Sequence, residues 1–576
     1  MNLSTLDYSI IIGFFIVSLV IGIWVSKKAG KNTSEYFLSG RNMPWWLLGV
    51  SMVATTFAAD TPGLVTELVR KDGVSGNWVW WAMLLTGMLT VFFYAKLWRK
   101  SGITTDLEFY EIRYSGKMAS FLRGFRAIYL GVIFNVITMA GVCLAGAKIA
   151  NILLGISQGE MLLYSSIIVV IYSSLGGLKG VLITDFVQFI IAMVGSVWAT
   201  IYIVNLPEIG GLASLLTHEN VSGQLNLLPN FSDKEAIITL LIIPFAVQWW
   251  STWYPGAEPG GGGYIAQRML AAKDEKNATW ATLFFNFAHY ALRPWPWIIV
   301  GLASLIIFPS LESINNTFPN LNTEMQGHDV AYAAMMTYLP AGLIGIVLTS
   351  LIAAFMSTIS TQLNWGSSYI VNDFYGRFIN QNATEKQKVV VGKISTVLLM
   401  LFAASFSFYL QSAKDVFDLL LQMGAGTGLL FILRWFWKRI NPFSEIAAMA
   451  ISFIIAIFFF INGKLETPLF EIAGYWQLTI GVFVTTFGWI IVTLLTKPSD
   501  KKTLQKFDQL IFDGEDKFKN IGLKIVAFLA GTIGVYSFLF ATGNWIYSNT
   551  KLAISLSFTT LICFIIVMRI LKKIKL

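Results

Sequence analysis

Cysteine, histidine and charge are all scarce in this sequence of 576 residues. The two cysteines, Cys143 and Cys563, and the three histidines, His218, His289 and His328, lie far apart in the chain. Their number and spacing exclude a disulfide framework and argue against a zinc or haem site. Charged residues make up 13% of the chain, roughly half of the quarter that is usual in soluble domains. This shortage excludes a soluble enzyme and a disordered chain.

Long apolar runs take the place of the missing charge. Hydrophobic residues make up 55% of the sequence, and the mean hydropathy is +0.65. The runs are continuous rather than alternating, which favours membrane-spanning helices over an outer-membrane barrel. The sequence predicts an all-α polytopic membrane protein of about fifteen spans. They lie at roughly residues 5–26, 46–69, 76–98, 125–153, 159–175, 181–205, 236–255, 280–308, 330–371, 389–411, 415–437, 443–462, 474–496, 521–542 and 551–571.

The net charge of +9 is explained by orientation in the membrane rather than by nucleic-acid binding. Residues 1–7 contain no basic residue, whereas Lys27, Lys28 and Lys31 follow the first span, the reverse of a cleaved signal peptide. With the N-terminus outside and the C-terminus inside, most Lys and Arg residues fall on the cytoplasmic side, and the external loop 309–329 has none. We therefore predict a multi-pass protein of the cytoplasmic (inner) membrane.

Two spans contain helix breakers at membrane depth. Span 2 contains Asp60-Thr61-Pro62-Gly63, and span 7 ends in Pro255-Gly256-Ala257-Glu258-Pro259 followed by glycines at 260–263. Broken backbone is tolerated in a bilayer only where it lines a cavity. The two spans are five apart, and each opens a block of five spans, so the blocks have opposite orientations, as in secondary transporters with inverted repeats. Alternatively, each break merely ends a helix early.

These blocks give a predicted domain organisation. An N-terminal extra helix (1–30) precedes a first five-helix repeat (46–205) and a second, inverted five-helix repeat (236–437). Four extra helices (443–576) follow the second repeat.

Span 9 contains four hydroxyls, those of Ser357, Thr358, Ser360 and Thr361, within one sector of its helix. Sodium is a hard cation that takes oxygen ligands. Neutral hydroxyls and helix-end carbonyls can supply such ligands without burying several carboxylates. The same hydroxyls could instead bond back to carbonyls of their own helix.

The hydroxyls, the span-2 break and three further motifs together resemble the sodium:solute symporter family, which includes bacterial sodium-coupled sugar, proline and sialic-acid carriers. The motifs are Ser39-Gly-Arg-Asn-Met-Pro-Trp-Trp46, Leu175-Gly-Gly-Leu-Lys-Gly-Val-Leu-Ile-Thr-Asp185-Phe-Val-Gln188 and Gln267-Arg268-Met-Leu-Ala-Ala-Lys273. The resemblance covers about residues 5–460. It implies the inverted five-plus-five repeat fold first described for a bacterial leucine transporter, with broken helices in spans 2 and 7.

The resemblance also implies a sodium site where span 2 meets span 9. Its ligands would be the carbonyls of Ala54, Phe57 and Ala354 and the hydroxyls of Ser357 and Thr358. Some family members hold a second sodium, for which the matching residues are Asp185, Ser357, Ser360 and Thr361. Asp185 is equally well interpreted as one half of an ion pair or gate, for example with an arginine of the cytoplasmic loops.

Candidate substrate ligands are polar and aromatic residues at the breaks and inside neighbouring spans. They are Thr56, Asp60, Thr61, Trp80, Gln248, Trp249, Trp250, Trp253, Asn286, Arg293 and Gln422. Asp60 could instead cap the outer half of span 2. Arg293 suits a substrate carboxylate, or else Asp60 or Glu258. The insertion-like stretch 255–263 has no counterpart that we can place in the sugar carriers.

The sequence thus predicts a sodium-coupled symporter that imports a small polar organic solute. A sugar or sugar derivative is the preferred class, with an amino acid or another organic acid as alternatives. Proton coupling through Asp185 or Asp60, a channel and a transporter-like sensor are the rival functions. No constellation of catalytic residues favours an enzyme. We expect Na⁺ as coupling ion, no organic cofactor, no nucleic-acid partner and no obligatory protein partner.

Overall fold

The computed structural model describes residues 3–29, 32–251, 258–319, 326–410, 420–465 and 467–574. Regular structure in these ranges is helical, apart from one isolated β-bridge between Met43 and Ala272. Eleven helices in this part of the chain are long and apolar enough to cross a membrane. They are Thr5–Val25, Val74–Ser101, Lys117–Leu154, Gly176–Val204, Glu275–Ile307, Leu343–Ile379, Glu385–Ser407, Pro442–Gly463, Gly474–Leu495, Ile521–Ile546 and Thr550–Lys573.

The longer α-helices follow the predicted spans closely. In chain order the α-helices are Thr5–Ala29, Thr33–Leu38, Trp45–Thr56, Asp60–Asp72, Trp78–Trp81, Leu84–Leu89, Ala95–Ser101, Phe109–Arg113, Lys117–Ile128, Asn135–Leu154, Gln158–Val204, Leu212–Thr217, Glu219–Ser222, Lys234–Ile237, Ile243–Ala246, Gly263–Ala271, Glu275–Phe287, Pro294–Ile307, Leu311–Thr317, Ala331–Met336, Leu343–Ser368, Glu385–Ser407, Gly428–Leu433, Pro442–Lys464, Gly474–Leu495, Lys501–Phe512, Ile521–Ile546 and Thr550–Lys573. Wider π-helical turns continue several of them, at Thr90–Tyr94, Tyr129–Phe134, Ile238–Ile242, Ala288–Leu292 and Tyr369–Ile379.

Span 2 is interrupted within the membrane-spanning region. Its first half, Trp45–Thr56, ends where Phe57 leaves the helical conformation (φ −92°, ψ 72°), and its second half begins at Asp60. Pro62 lies in the first turn of the second half, where a proline costs no hydrogen bond. We call the two halves the broken helix. The interruption frees the last carbonyls of the first half and the first amides of the second half.

Span 7 is also interrupted. Its helix ends at Ala246 and a single 3₁₀ turn follows at Gln248–Trp250. Among the described residues, the next helix begins at Gly263. Residues 252–257, which include the candidate Trp253, lie outside the described residues.

The two predicted spans 159–175 and 181–205 form one helical segment, Gln158–Val204, in which only Gly177 departs from helical geometry. Its φ of 53° and ψ of −163° are open to glycine and strained for other residues. Whether the segment is one long helix or a hairpin is decided by what its two halves contact.

The two halves pass the same turn of span 9. The Tyr172 hydroxyl donates to the carbonyl of Met356 over 3.2 Å, and the Asp185 carboxylate accepts from Ser357 over 2.6 Å. In a straight helix, residues 172 and 185 would be about 20 Å apart along the axis. The chain therefore reverses direction at Gly177, and the segment is a pair of antiparallel helices.

Candidate ion and substrate sites

The hydroxyls of span 9 lie directly against the broken helix. We call Leu343–Ser368, which carries them, the ladder helix. The Thr358 hydroxyl donates to the main-chain carbonyl of Thr55 over 2.7 Å. The hydroxyl oxygens of Thr55 and Thr361 are 3.1 Å apart. Because these side chains are buried, oxygens of both helices face one another away from bulk water.

The remaining residues predicted to bind the first sodium lie around this contact. The Phe57 amide donates to the carbonyl of Ala54 over 3.1 Å, in the last turn of the first half of the broken helix. Ala354 is buried on the ladder helix, one turn before Thr358. The Ser357 hydroxyl, in the same sector of the ladder helix, donates to the carboxylate of Asp185.

Asp185 lies at the centre of a buried polar cluster. Its carboxylate accepts hydrogen bonds from Ser357 (2.6 Å) and Ser51 (2.5 Å). The Nη2 atom of Arg268 is 3.8 Å from the same carboxylate and donates to the Thr361 hydroxyl over 2.8 Å. The ion pair that the sequence left open is therefore present, and the Gln-Arg motif supplies its cation.

The residues matched to a second sodium are close together, but they already have partners. The Ser360 hydroxyl donates to the carbonyl of Ser357 over 3.1 Å, which is the back-bonding that the sequence left open as an alternative. A cation between Asp185 and Thr361 would have to replace the hydrogen bond from Arg268.

Arg293 contacts the carboxyl end of the first half of the broken helix. Its guanidinium donates to the carbonyl of Val53 and to the hydroxyl of Thr56, both over 3.3 Å. The Thr56 hydroxyl is 2.9 Å from Nδ1 of His289. A positive charge is favourable at the carboxyl end of a helix, where the peptide dipoles leave partial negative charge.

A vestibule of about 690 Å³ opens at the end of the bundle where the broken helix ends at Asp72. Exposed residues of the segment 223–239 form its rim. Three predicted substrate ligands, Trp80, Gln248 and Gln422, line it. The Gln248 amide donates to the carbonyl of Val79, and the Gln422 amide is bonded to Gln477 over 3.3 Å.

A second, smaller cavity of about 40 Å³, the inner pocket, lies behind the vestibule. Its polar lining residues are Thr56, Thr86, Thr90, Glu258, Tyr264, Thr282, Asn286, His289 and Tyr290. The rings of Trp80 and Tyr290 stack with centroids 5.8 Å apart. Because Trp80 faces the vestibule and Tyr290 faces the inner pocket, this stack separates the two spaces.

Two predicted substrate ligands lie at a different place. Asp60 is the first residue of the second half of the broken helix, whose N-cap is Ala59, and the Thr61 hydroxyl is 3.5 Å from its carboxylate. A cavity of about 20 Å³ separates Asp60 from a buried ion pair of Lys148 with Asp329 (2.8 Å). Asp60 is thus grouped with this pair rather than with the vestibule residues.

The described tryptophans of span 7 have main-chain partners. The carbonyl of Trp249 accepts a hydrogen bond from Thr86, and the indole of Trp250 donates to the carbonyl of Ala246 over 3.0 Å. The side chain of Thr86 also lines the inner pocket, so Trp249 borders that pocket through its backbone.

Comparison with known proteins decides the family. A model of the sodium:solute symporter family matches residues 36–452. The chain belongs to this family. The sodium/glucose cotransporter of Vibrio parahaemolyticus is 25% identical over 472 residues, which cover 79% of this chain and 85% of the relative. The human sodium/myo-inositol cotransporter is 27% identical over 561 residues, covering 87% of this chain and 75% of the relative. The sodium/sialic acid symporter of Proteus mirabilis is 24% identical and covers 83% of this chain and 94% of the relative.

The fold agrees with that assignment. The substrate-bound, outward-open structure of a Na⁺-coupled sialic acid symporter superposes with a TM-score of 0.66 at 20% identity, covering 87% of this chain and 100% of that one. The protein is therefore an integral multi-pass membrane protein with the all-helical fold of leucine-transporter-like sodium symporters. The resemblance seen in the sequence motifs is confirmed.

Several polar residues of the site were not among the predicted ligands. Ser51 and Thr55 belong to the broken helix and contact Asp185 and Thr361 respectively. Residues four apart share one face of a helix. The i, i+4 spacing of the Ser51 and Thr55 hydroxyls in span 2 could therefore have predicted that this face contacts the hydroxyls of span 9.

Proposed function

We propose that this protein is a sodium-coupled secondary active symporter that imports a small polar organic solute, with a sugar or sugar derivative as the preferred class. The observation that carries the proposal is the contact of the Thr358 hydroxyl with the carbonyl of Thr55. It places oxygen atoms of the ladder helix against the freed backbone of the broken helix. Relatives named for glucose, myo-inositol and sialic acid support the substrate class.

The proposed sodium ligands are the carbonyls of Ala54, Phe57 and Ala354 with the hydroxyls of Ser357 and Thr358. A hydroxyl has lone pairs for a cation as well as a proton to donate. Thr358 can therefore keep its bond to Thr55 while facing an ion, and Ser357 can turn a lone pair towards it while bound to Asp185. For a second sodium the proposed ligands are Asp185, Ser357, Ser360 and Thr361, and the ion would have to displace Arg268, which contacts Asp185 and Thr361.

Sodium at this place would couple to solute by favouring one conformation. The ion would tie the broken helix to the ladder helix and so favour the conformation in which the vestibule is open. Solute contacts the same broken helix through Thr56, so each ligand raises the affinity for the other. We propose that the repeats 46–205 and 236–437 move relative to each other in this cycle. The vestibule faces outside, with the N-terminus also outside, in an inner membrane.

The first experiment titrates the purified protein with sodium against a potassium background at fixed ionic strength. The melting temperature of the protein is the readout. Wild type, Ser357→Ala and Ser367→Ala are compared. Ser367 is a buried serine of the same helix that bonds back to Asn364, so it controls for loss of a hydroxyl alone. We expect sodium, but not potassium, to raise the melting temperature of wild type in a saturable way. The Ser367→Ala variant should show the same rise, and the Ser357→Ala variant should not. A flat sodium response with a pH response instead would reject sodium coupling and favour a proton carrier.

A further inference from the structure

The glycine-rich stretch after the span-7 break carries an acidic side chain into the inner pocket. Glu258 is buried and lines that pocket, and the glycines 260–263 follow it. The indole of Trp98 donates to the carbonyl of Gly260 over 2.7 Å. A β-carbon at Gly261 would meet Thr90 at 3.1 Å, and one at Gly262 would overlap Oε2 of Glu258. At both positions only glycine, which has no β-carbon, fits against these atoms. The glycines therefore let the backbone pack closely beside Glu258 at the pocket.

Two acceptor oxygens in the pocket have no hydrogen-bond donor within the described part of the chain. Oε1 of Glu258 is 3.7 Å from the guanidinium of Arg126, while Oε2 is buried and has no hydrogen-bond partner among the described residues. The amide nitrogen of Asn286 donates to Thr282 over 2.8 Å, while its Oδ1 has no such partner either. Buried acceptors in folded proteins are nearly always satisfied. The pocket is therefore built to receive hydrogen-bond donors.

The surrounding charges favour a neutral ligand. Arg126 lies on one side of Glu258, and Arg293 reaches the pocket through Thr56 and His289. A cationic ligand would face these guanidinium groups, and a carboxylate would face the free oxygen of Glu258. Hydroxyl groups donate without adding charge. The volume of about 40 Å³ exceeds the roughly 10–15 Å³ of probe-occupied space that one water-sized group needs, so the pocket has room for a hydroxyl group.

We propose that Glu258 contacts the substrate, accepts a hydrogen bond from a hydroxyl of a neutral polyol and excludes solutes that place a carboxylate there. This inference rests on the proposed symport function and names its substrate class. The hydroxyl enters the inner pocket, and the carbon skeleton of the polyol lies towards the Trp80–Tyr290 stack, whose flat faces suit an apolar ring surface.

The test measures binding of myo-inositol, glucose and glucuronate to the purified full-length protein at saturating sodium, by ligand-induced shift of the melting temperature. Variants are Glu258→Gln, which keeps shape and removes charge, and Glu258→Asp, which shortens the reach. Glu445→Gln is the matched control. Glu445 is also buried, is 3.6 Å from Arg434 and has an Oε2 atom with no hydrogen-bond partner among the residues that the structure describes, yet it lies outside the pocket.

We expect at least one neutral polyol to stabilise wild type and glucuronate to have no effect. Glu258→Gln should weaken polyol binding about tenfold, since a hydrogen bond to a charged acceptor is roughly twice as strong as a neutral one. Glu445→Gln should bind as wild type does. Should Glu258→Gln fail to fold, Glu258→Asp, with its shorter reach, is expected to show the same loss.

Three results would overturn the inference: unchanged polyol affinity in both Glu258 variants, a stronger wild-type response to glucuronate than to either polyol, or no response to either polyol. The sodium response of the same samples is measured separately. Because Glu258 is not a proposed sodium ligand, a sodium response with a failed polyol result rejects only this inference, and a missing sodium response rejects the symport function.

Discussion

The hydroxyl of Thr358 donates a 2.7 Å hydrogen bond to the main-chain carbonyl of Thr55. Thr55 is in the last turn of the first half of the broken helix, and Thr358 is on the ladder helix, 303 residues later. A carbonyl in the last turn of a helix has no intrahelical donor of its own. The bond therefore gives this carbonyl, at the interruption of span 2, a hydrogen-bond donor. It also fixes the distance between the two helices at the proposed ion site.

Replacing Thr358 should separate the role of its oxygen from that of its shape. Thr358→Val keeps the volume and removes the oxygen, so we expect the sodium concentration for half-saturation to rise about tenfold or more, as for the loss of one good polar contact. Thr358→Ser keeps the oxygen and should bind sodium nearly as wild type does. The two variants are compared by sodium titrations in which the melting temperature is measured. Equal behaviour of the valine and serine variants would remove Thr358 from the sodium site.

The ion pair of Arg268 with Asp185 should show strong coupling in a double-mutant cycle. Both side chains are fully buried, so removing one partner leaves the other charge without compensation, at a cost of about 3 kcal/mol or more. We expect Arg268→Gln and Asp185→Asn each to lower the melting temperature markedly. The double variant should recover much of the loss. Additive effects in the double variant would show that the two charges do not depend on each other.

Gly177 should not tolerate a side chain. Its φ of 53° with ψ of −163° is strained for alanine by about 1–3 kcal/mol. Gly177→Ala is therefore expected to lower the melting temperature and the yield of folded protein. Gly180→Ala is the control, because a β-carbon there meets no atom within 4 Å. Equal stability of the two variants would mean that the chain does not reverse at Gly177.

Labelling by an impermeant thiol reagent should reveal the orientation of the chain. Asn226 is exposed on the vestibule, and Gln381 is exposed in the loop after the ladder helix. The native cysteines, Cys143 and Cys563, are both buried and should give little background. In intact cells we expect Asn226→Cys to be labelled and Gln381→Cys to be labelled only after permeabilisation. The reverse pattern would place the vestibule on the cytoplasmic side.

The stabilising effect of Glu111 should depend on pH in one direction only. Burial alone would raise the pKa of Glu111, but hydrogen bonds from Ser120, Arg377 and Arg123 lower it from the ordinary 4.5 to about 2. A carboxyl group whose pKa is lowered on folding stabilises the folded state at pH values above its ordinary pKa. This stabilisation is lost as the pH falls from the ordinary pKa towards 2. Glu111→Gln should therefore lower the melting temperature equally at pH 7 and pH 5.5. The difference from wild type should narrow below about pH 4.5.

Glu515→Gln is the control for that measurement. Glu515 forms a surface pair with Lys519, with both side chains more than half exposed, and such pairs add little stability. A difference between Glu111→Gln and wild type that grows as the pH falls would contradict the prediction.

Much of the site could be anticipated from local pattern. The positions of the apolar spans, the break after Thr56 and the hydroxyls of span 9 are properties of short stretches of sequence. Local pattern did not predict which of the candidate substrate ligands line the same cavity. Trp80 and Gln422 both line the vestibule, whereas Asp60 and Lys148 line a different cavity, because helix rotation and packing decide which faces of distant spans point towards the same space.

The sequence by itself determined the membrane class, the helical segments, the interruption of span 2 and the family. These features follow from hydropathy, from proline and glycine, and from motifs, all of which act over one or two helical turns. Only the tertiary structure decided that Arg268 pairs with Asp185, that the chain reverses at Gly177 and that Glu258 lines the inner pocket. Each of these depends on contacts between segments far apart in sequence. Such contacts are selected by the packing and electrostatic compensation of the whole bundle, since a buried charge is stable only where the fold supplies its partner.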